Sequence, residues 1–372
     1  MKHARTISAN PLLRAKALGQ SIWLDFIRRK MIASGELECL IREDGLAGVT
    51  SNPVIFEQAI SHSDDYNCAI AELRGRVANV EEMYDTLVLE DIASAADVFR
   101  PSFEASGGLD GFVSHEVSPH LAHDSDGTVS EADCMWAKLD RPNILIKVPG
   151  TIAALRSITE LIASGINLNV TLLFSVERYE QVAEAYMAGI ERRVRDKLAV
   201  DYVASVASLF LSRIDQKVDP LLDQRQEPEA SALRGRAAEA CAKLSYQAYQ
   251  RLIGSERWKD LAASGARPQR LLWASMGTKD PDYSDVKYVD ALIGPGTIAT
   301  LPLETLNAYR DHGNPAPRLE QNLENAQRVP QQLAALGIDL DVVSAELERE
   351  GIEKFIKPFD ALHQALAQRG WS

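Results

Sequence analysis

The sequence contains few cysteines and no long apolar segment. Its 372 residues include four cysteines that form no CxxC pair, Cys39, Cys68, Cys134 and Cys241. This spacing argues against a zinc ribbon and a dense disulfide framework, and it favours reduced thiols. No apolar run approaches the ~18 residues that a membrane span needs. Residues 1–14 also lack the apolar core of a secretory signal, so we expect a cytoplasmic protein with no membrane partner.

Basic residues are also fewer than acidic ones. The chain has 40 Lys plus Arg against 53 Asp plus Glu, a formal net charge of −13, and its longest basic run is Arg28-Arg29-Lys30. A surface of this kind repels polyanions, so we expect no nucleic-acid partner. A small anionic substrate remains compatible, because a single pocket can be positive within a negative protein.

Short apolar runs alternate with longer helical patterns, as is typical of βα units around a parallel sheet. Eight strands are predicted, at residues 21–25, 46–50, 111–117, 143–148, 167–174, 202–210, 270–276 and 291–298. Several are apolar on both faces, as expected for strands between a barrel interior and an outer layer of helices. Eight strands favour a closed (β/α)8 TIM barrel of the α/β class, with an open doubly wound sheet as the alternative.

Helical patterns occupy the segments between these strands. They include residues 80–98, 176–195 and 230–253, and after the last strand 302–310, 319–336 and 339–368. We interpret residues 1–372 as a single barrel domain. Residues 302–372 would then form a helical C-terminal extension that wraps the barrel or covers its mouth.

Polar residues recur where the predicted strands end. They are Asp25, Asn52, Glu116 and Lys147, then Asn169 and Thr171, which lie two apart, and Ser208, which shares a strand face with Phe210. In parallel α/β folds the catalytic residues lie at the carboxyl ends of the strands. The recurrence therefore predicts one shared active site.

Lys147 is the most informative of these residues. It follows Ile144-Leu145-Ile146 and precedes Val148, so its amine lies in an apolar stretch where desolvation favours the neutral, nucleophilic form. Such an amine can form a Schiff base with a ketone, and the iminium then withdraws electrons from the neighbouring C–C bond. The alternative is a structural lysine that reaches the strand end or pairs with a carboxylate.

Schiff-base chemistry also needs proton transfers, which two carboxylates could divide. Glu116 and Asp25 would have different pKa values if they were buried in one pocket, so one would serve as acid and the other as base. Thr171 could hold a catalytic water, and Asn52 and Asn169 could bind substrate hydroxyls. The alternatives are a helix cap or surface charge for each carboxylate, and hydrogen bonds to the backbone for the other three.

An anion site is predicted beside the sixth strand. Arg213 follows Ser208-Leu209-Phe210-Leu211-Ser212, and its guanidinium can bind a phosphate in a bidentate manner. The alternative is a surface pair with Asp215. The segments 294–297 and 277–279 could also offer backbone N–H groups or charge to a phosphate, but neither matches a nucleotide-binding motif.

A metal site is the competing interpretation of the third strand. His115, Glu116, His120 and His123 lie close together in the sequence. Their spacing is not HExxH and Pro119 interrupts any helix, so we predict ordinary loop histidines and no metal.

Four motifs in order resemble the transaldolase family. They are Gly48-Val49-Thr50-Ser51-Asn52-Pro53, Ile144-Leu145-Ile146-Lys147-Val148-Pro149-Gly150-Thr151, Asn167-Leu168-Asn169-Val170-Thr171-Leu172-Leu173-Phe174-Ser175 and Ser208-Leu209-Phe210-Leu211-Ser212-Arg213-Ile214-Asp215. The resemblance runs from about Asn10 to the C-terminus, and the long helical tail is similar to that of bacterial members of this size. It implies a barrel that transfers a dihydroxyacetone unit between sugar phosphates in the pentose phosphate pathway, without a cofactor or metal, as a monomer or homodimer.

The resemblance also implies a role for each matching residue. Lys147 would carry the Schiff base, Glu116 would act as acid and base through a water held by Thr171, and Asp25 would deprotonate the substrate hydroxyl. The remaining matches would bind substrate: hydroxyl groups at Asn52, Asn169 and Ser208, and the phosphate at Arg213.

The seventh strand departs from the family pattern. Shorter family members have a second phosphate-binding arginine there, but residues 274–279 of this chain contain none, so Lys279 is the predicted substitute.

Two alternatives to transaldolase activity remain. A fructose 6-phosphate aldolase-like lyase would share Lys147 but typically lacks the carboxylate at Glu116 and has a shorter chain. A non-catalytic sugar-phosphate-binding barrel would have lost Lys147, Glu116 or Asp25.

Overall fold

Eight parallel strands close into a barrel in chain order. The computed structural model describes residues 10–371, so most of the interpreted segment 1–14 lies outside the described residues. Each strand pairs with the next one and the last pairs with the first. The strands are β1 (Gln20–Leu24), β2 (Gly48–Thr50), β3 (Phe112–Glu116), β4 (Ile144–Pro149), β5 (Leu168–Leu173), β6 (Ser205–Phe210), β7 (Arg270–Ala274) and β8 (Thr297–Leu301). The predicted (β/α)8 barrel is confirmed, and the open-sheet alternative is wrong.

Helices follow the strands and surround the barrel. They are α1 (Pro11–Ala17), α2 (Arg29–Ala33), α3 (Glu36–Asp44), α4 (Pro53–Ser61), α5 (Asn67–Leu73), α6 (Val80–Ala105), α7 (Ser125–Leu139), α8 (Leu155–Ser164), α9 (Val176–Arg195), α10 (Ser212–Asp223), α11 (Pro228–Leu233), α12 (Ala237–Ile253), α13 (Glu256–Ala263), α14 (Lys287–Ala291), α15 (Leu303–His312), α16 (Leu323–Ala335) and α17 (Leu340–Trp371). A 3₁₀ turn, Pro119–Leu121, follows β3. None of the described helices is long and apolar enough to cross a membrane.

Helix caps fix where several of these helices begin. Helix α9 matches the predicted segment because the Ser175 hydroxyl accepts a hydrogen bond from the Arg178 N–H at 3.2 Å. Arg192, Arg193 and Arg195 in its last turn complement the negative end of the helix dipole. The residues at the two ends of α9 therefore favour a helix with these bounds.

The barrel interior is filled with side chains. Strands β4, β5 and β6 are buried along their whole length, and Trp23 and Trp273 are fully buried. A Cβ on Gly48 would lie 2.6 Å from the Trp23 ring, so only glycine allows β2 to approach that ring. A filled barrel leaves room for a ligand only at its ends, and the polar strand ends identify which one.

Several predicted elements differ from the structure, among them helix 80–98, which continues to Ala105. The eighth strand begins at Thr297 rather than at residue 291, because Lys287–Ala291 is helical and Pro295 and Gly296 (φ +72°) form a turn. The Gly296 N–H donates to Gly19 O at the amino end of the barrel, so segment 294–297 lies away from the site and its proposed phosphate role is wrong. The predicted helix 230–253 is divided by Gly235, whose φ is +65°.

The C-terminal helices continue beyond the eighth βα unit. Helix α17 packs against α4, α6 and α10 and reaches the carboxyl end of β5. It therefore crosses the end of the barrel at which the polar strand ends lie.

Candidate active site

A cavity of about 490 Å³ opens at the carboxyl end of the barrel. Most of the predicted site residues line it, namely Asp25, Asn52, Lys147, Ser208, Arg213 and Lys279. Glu116 and Asn169 lie beside the cavity, in contact with Lys147 and Ser208 respectively. Residues that are far apart in the sequence therefore meet in one place.

A buried ion pair lies in this cavity. Lys147 Nζ is 2.9 Å from Glu116 Oε2, and both side chains are about 5% exposed. Their strands place them directly opposite each other, because Glu116 on β3 pairs in register with Lys147 on β4. The amine also donates to Ser51 O at 3.3 Å. The alternative interpretation of Lys147, as a structural lysine, predicted that it pairs with a carboxylate, and such a pair is present. The amine also faces an open cavity, which a purely structural lysine does not need.

The pair is costly in electrostatic terms. Burial raises the pKa of the Glu116 carboxyl above its ordinary value, although the neighbouring Lys147 cation opposes this shift. The negative charge of Asp25 adds to the increase. A carboxyl group with a raised pKa gains a proton readily, which suits a group that exchanges protons with the adjacent amine.

Asp25 is held by a chain of hydroxyl groups. Thr50 Oγ1 donates to Asp25 Oδ1 at 2.7 Å, and Thr50 and Thr300 hydroxyls are 2.8 Å apart. Burial raises the pKa of Asp25, while Lys147 and the hydrogen bonds of Thr50 and Asn52 oppose the shift. The helix-cap alternative is wrong for Asp25. The alternative predicted for Asn52, a hydrogen bond to the backbone, is present: its Oδ1 accepts the Ile55 N–H at 3.1 Å at the start of α4.

Polar groups on β5 and β6 form a second network. Ser208 Oγ donates to Asn169 Oδ1 at 2.6 Å, and Asn169 Nδ2 donates to Ser114 Oγ at 3.0 Å. Thr171, two residues along β5, is fully buried, and its Oγ1 has no hydrogen-bond partner. A buried unpaired hydroxyl is a suitable anchor for a water molecule.

Arg213 lies in an aromatic setting rather than in an ion pair. Its guanidinium lies 5.0 Å from the Phe210 ring centroid and 5.6 Å from that of Phe355. Its Nη1 is buried without a hydrogen-bond partner. The predicted alternative pair with Asp215 is wrong, because Asp215 accepts from Lys287 and Tyr288 instead. A buried guanidinium nitrogen without a partner beside an open cavity is suited to bind an anion such as a phosphate.

The histidines that the metal interpretation groups together lie in different surroundings. His115 contacts the edge of Phe56 at 5.7 Å, and burial lowers its pKa to about 3. His120 instead pairs with Asp360 of α17 at 2.8 Å. Within residues 10–369 no three His, Cys, Asp or Glu side chains form a group that could hold a metal ion.

Comparison with known proteins decides the family. A family model described as Transaldolase/Fructose-6-phosphate aldolase matches residues 22–366. The chain is 48% identical to a transaldolase of Thiobacillus denitrificans over 95% of this chain and 98% of the relative. It is 45% identical to a transaldolase of Trichodesmium erythraeum over 97% of both chains. The chain belongs to the transaldolase family. A transaldolase of Frankia alni is 44% identical over 97% of this chain and 98% of the relative.

The departure from the transaldolase pattern lies in the segment after β7. Ser275 has a φ of +54°, and its hydroxyl is 2.9 Å from that of Ser212. This turn carries the chain to Lys279, an exposed residue at the rim of the cavity. Lys279 therefore remains a prediction as the second phosphate ligand, since the structure gives its position and no bound anion.

Three residues of the site escaped sequence reasoning. Thr50 lies within a motif but its own position does not distinguish it, and Thr300 lies beyond the predicted end of the eighth strand. Phe355 comes from α17, and nothing in its local sequence distinguishes it from a core residue. A correct placement of β8 would have identified Thr300 by the same strand-end rule that found Asp25.

The hydrogen bond from Thr50 gives a testable prediction. Because this bond lowers the pKa of Asp25, Thr50→Val should move that pKa further upward. NMR titration of ¹³C-labelled aspartate carboxyls measures the shift. Thr50→Ser retains the hydroxyl and serves as the control. An unchanged Asp25 titration in Thr50→Val would contradict the hydrogen-bond assignment.

Proposed function

We propose that the protein is a transaldolase of the non-oxidative pentose phosphate pathway. It transfers a dihydroxyacetone unit from sedoheptulose 7-phosphate to glyceraldehyde 3-phosphate, giving erythrose 4-phosphate and fructose 6-phosphate. The observation that carries the proposal is the buried Lys147–Glu116 pair, which opens onto a cavity shared with Asp25 and Arg213. The reaction needs no metal and no organic cofactor, because an amine, two carboxyls and a water supply every step.

Schiff-base formation starts from the ion pair. A proton passes from Lys147 Nζ to Glu116, and the neutral amine attacks the C2 carbonyl of the ketose. The resulting carbinolamine loses its hydroxyl as water after Glu116 returns a proton to that oxygen. The raised pKa of Glu116, caused mainly by burial, favours the protonated acid that this step requires.

Asp25 then initiates C–C cleavage. It removes the proton from the C4 hydroxyl, the C3–C4 bond breaks, and the aldose phosphate leaves. The bonding electrons move to C3 and the iminium nitrogen, which leaves an enamine on Lys147. A pKa raised by burial makes Asp25 a stronger base than an ordinary carboxylate.

Transfer reverses these steps with a new aldehyde. The enamine carbon attacks the acceptor carbonyl, and Asp25 returns a proton to the new hydroxyl. Water then adds to C2 of the iminium, and the C–N bond breaks to release the product. Thr171 holds this water for Glu116, as its unpaired buried hydroxyl suggests.

Substrate recognition divides between hydroxyl and phosphate groups. The amides of Asn52 and Asn169 and the hydroxyl of Ser208 bind the sugar hydroxyls. Arg213 binds the phosphate, and Lys279 adds charge at the rim. We further propose that residues 1–372 act as one barrel domain with 302–372 as its helical extension, in a cytoplasmic monomer or homodimer.

The proposed function predicts a covalent adduct on Lys147. Borohydride reduction in the presence of fructose 6-phosphate should attach a dihydroxyacetone-derived or hexose-derived group to this residue, because borohydride reduces the iminium. Peptide mass mapping locates the adduct. Lys147→Arg retains the charge and cannot form the imine, so it should remain unlabelled.

The other outcomes identify different functions. A labelled protein that forms no sedoheptulose 7-phosphate with erythrose 4-phosphate, but releases dihydroxyacetone, would be a lyase. A folded protein with no adduct anywhere would overturn the Schiff-base mechanism and support a sugar-phosphate-binding barrel.

The phosphate site gives a second prediction. Arg213→Met should raise KM for fructose 6-phosphate by about tenfold or more, because a lost charge-assisted hydrogen bond costs about 1.5–3 kcal/mol. Lys279→Met should raise it less than about fivefold, because Lys279 is exposed and its interaction is screened. Unphosphorylated fructose as donor is the control, and its KM should change little in either variant. A larger effect at Lys279 would reverse the assignment.

A further inference from the structure

One phenyl ring from the C-terminal helix contacts two cations of the site, Lys147 and Arg213. Phe355 on α17 is 2% exposed and lines the cavity. Its ring centroid lies 5.3 Å from Lys147 Nζ and 5.6 Å from the Arg213 guanidinium carbon. Both distances are within the range of cation–π contacts. The ring therefore contacts the amine that carries the substrate and the cation assigned to the phosphate.

A close approach of α17 to the barrel brings this ring into place. Gly351 lies one helical turn before Phe355 and therefore on the same face. A Cβ on Gly351 would lie 3.0 Å from Leu172 Cδ2 and 3.4 Å from Arg213 Nη1. Leu172 itself has a φ of +63°, where β5 and β6 shift register. A strained leucine under a glycine of α17 indicates that this contact is specific.

Ion pairs hold the same part of α17 over the cavity. Glu348 pairs with Arg178 of α9 at 2.6 Å, and Arg178 also donates to Gly150 O after β4. On the other side, Lys217 of α10 is 2.8 Å from both Glu346 and Glu350. The turn before Phe355 is thus tied to both sides of the barrel mouth.

The enamine left on Lys147 after cleavage has two possible fates. In transfer, its carbon bonds to an acceptor aldehyde. In leakage, water supplies a proton to the same carbon, a second water adds to C2 of the resulting iminium, and the C–N bond breaks to release dihydroxyacetone and the free amine. The net leakage reaction is cleavage of the ketose phosphate into dihydroxyacetone and an aldose phosphate. Water near the enamine carbon therefore decides between a transferase and a lyase.

We propose that Phe355 is a specificity-determining residue that commits the Lys147 enamine to an aldehyde acceptor rather than to water. The inference rests on the proposed transaldolase function. The ring covers the side of the cavity next to Nζ with apolar surface, and a phenyl ring offers no hydrogen-bonding atom of its own to hold a water. Productive hydrolysis uses the separate water position at Thr171, so a ring that blocks one approach need not block the other.

The test measures the partition between the two fates. Leakage is the rate of glyceraldehyde 3-phosphate release from fructose 6-phosphate without acceptor, and transfer is the rate of sedoheptulose 7-phosphate formation with erythrose 4-phosphate. Both rates are divided by the amount of Lys147 that borohydride traps, so only folded protein is counted. The variants are Phe355→Ala and Phe355→Leu. Phe359→Leu, one turn further along α17 and packed on Tyr84 outside the cavity, is the matched control.

The ratio of leakage to transfer should rise at least about tenfold in Phe355→Ala and by about threefold in Phe355→Leu, and it should stay unchanged in Phe359→Leu. A merely structural role would lower both rates together and leave the ratio constant, which would overturn the inference. If Phe355→Ala does not fold, the Leu variant decides by the same criterion. A wild-type protein without an adduct would refute the proposed function instead, so the two failures are distinguishable.

Discussion

The buried ion pair between Lys147 and Glu116 is the constraint on which the site depends. Two charged groups at about 5% exposure lose most of their hydration, and their mutual attraction at 2.9 Å offsets only part of that cost. Hydrophobic residues of similar volume would often be as stable or more so. The register of β3 with β4 nevertheless holds the two groups face to face, and the cavity beside them gives the pair a chemical use.

The cavity contains a larger share of basic side chains than the protein as a whole. The chain carries a formal net charge of −13, yet three basic residues, Lys147, Arg213 and Lys279, line the cavity beside two carboxylates, Asp25 and Glu304. A pocket that is locally less acidic than the rest of the surface favours the binding of an anionic sugar phosphate to a strongly acidic protein. Because Arg213 Nη1 is buried and unpaired, the site is prepared for the anion before it arrives.

The sequence predicted the elements whose signal is local. Strands such as β4 and β5 are apolar on both faces, so their polar exceptions, Lys147 and Asn169, were visible as site candidates. The eighth strand was misplaced because a helix end and a glycine-proline turn also produce a short apolar run. Local patterns cannot show which distant element covers a cavity, and for this reason Phe355, far along the chain from Lys147, was missed.

Helix α17 explains why the barrel alone is not the complete site. Ion pairs, a close contact at Gly351 and the ring of Phe355 make this helix a wall of the cavity rather than a peripheral addition. The strands supply reactive groups, and the helix supplies apolar surface. Without this helix, the cavity beside Lys147 would be open to solvent on that side.

Proton transfer between Glu116 and Lys147 is tested most directly by the rate of imine formation in Glu116→Gln. Rapid mixing with fructose 6-phosphate followed by a borohydride quench measures adduct on Lys147 as a function of time. If the pair acts as described, the variant still labels Lys147 but does so about 10²–10⁴-fold more slowly, the usual effect of losing a general acid–base group. Labelling at the wild-type rate would contradict the role of Glu116 and leave the ion pair as a structural feature.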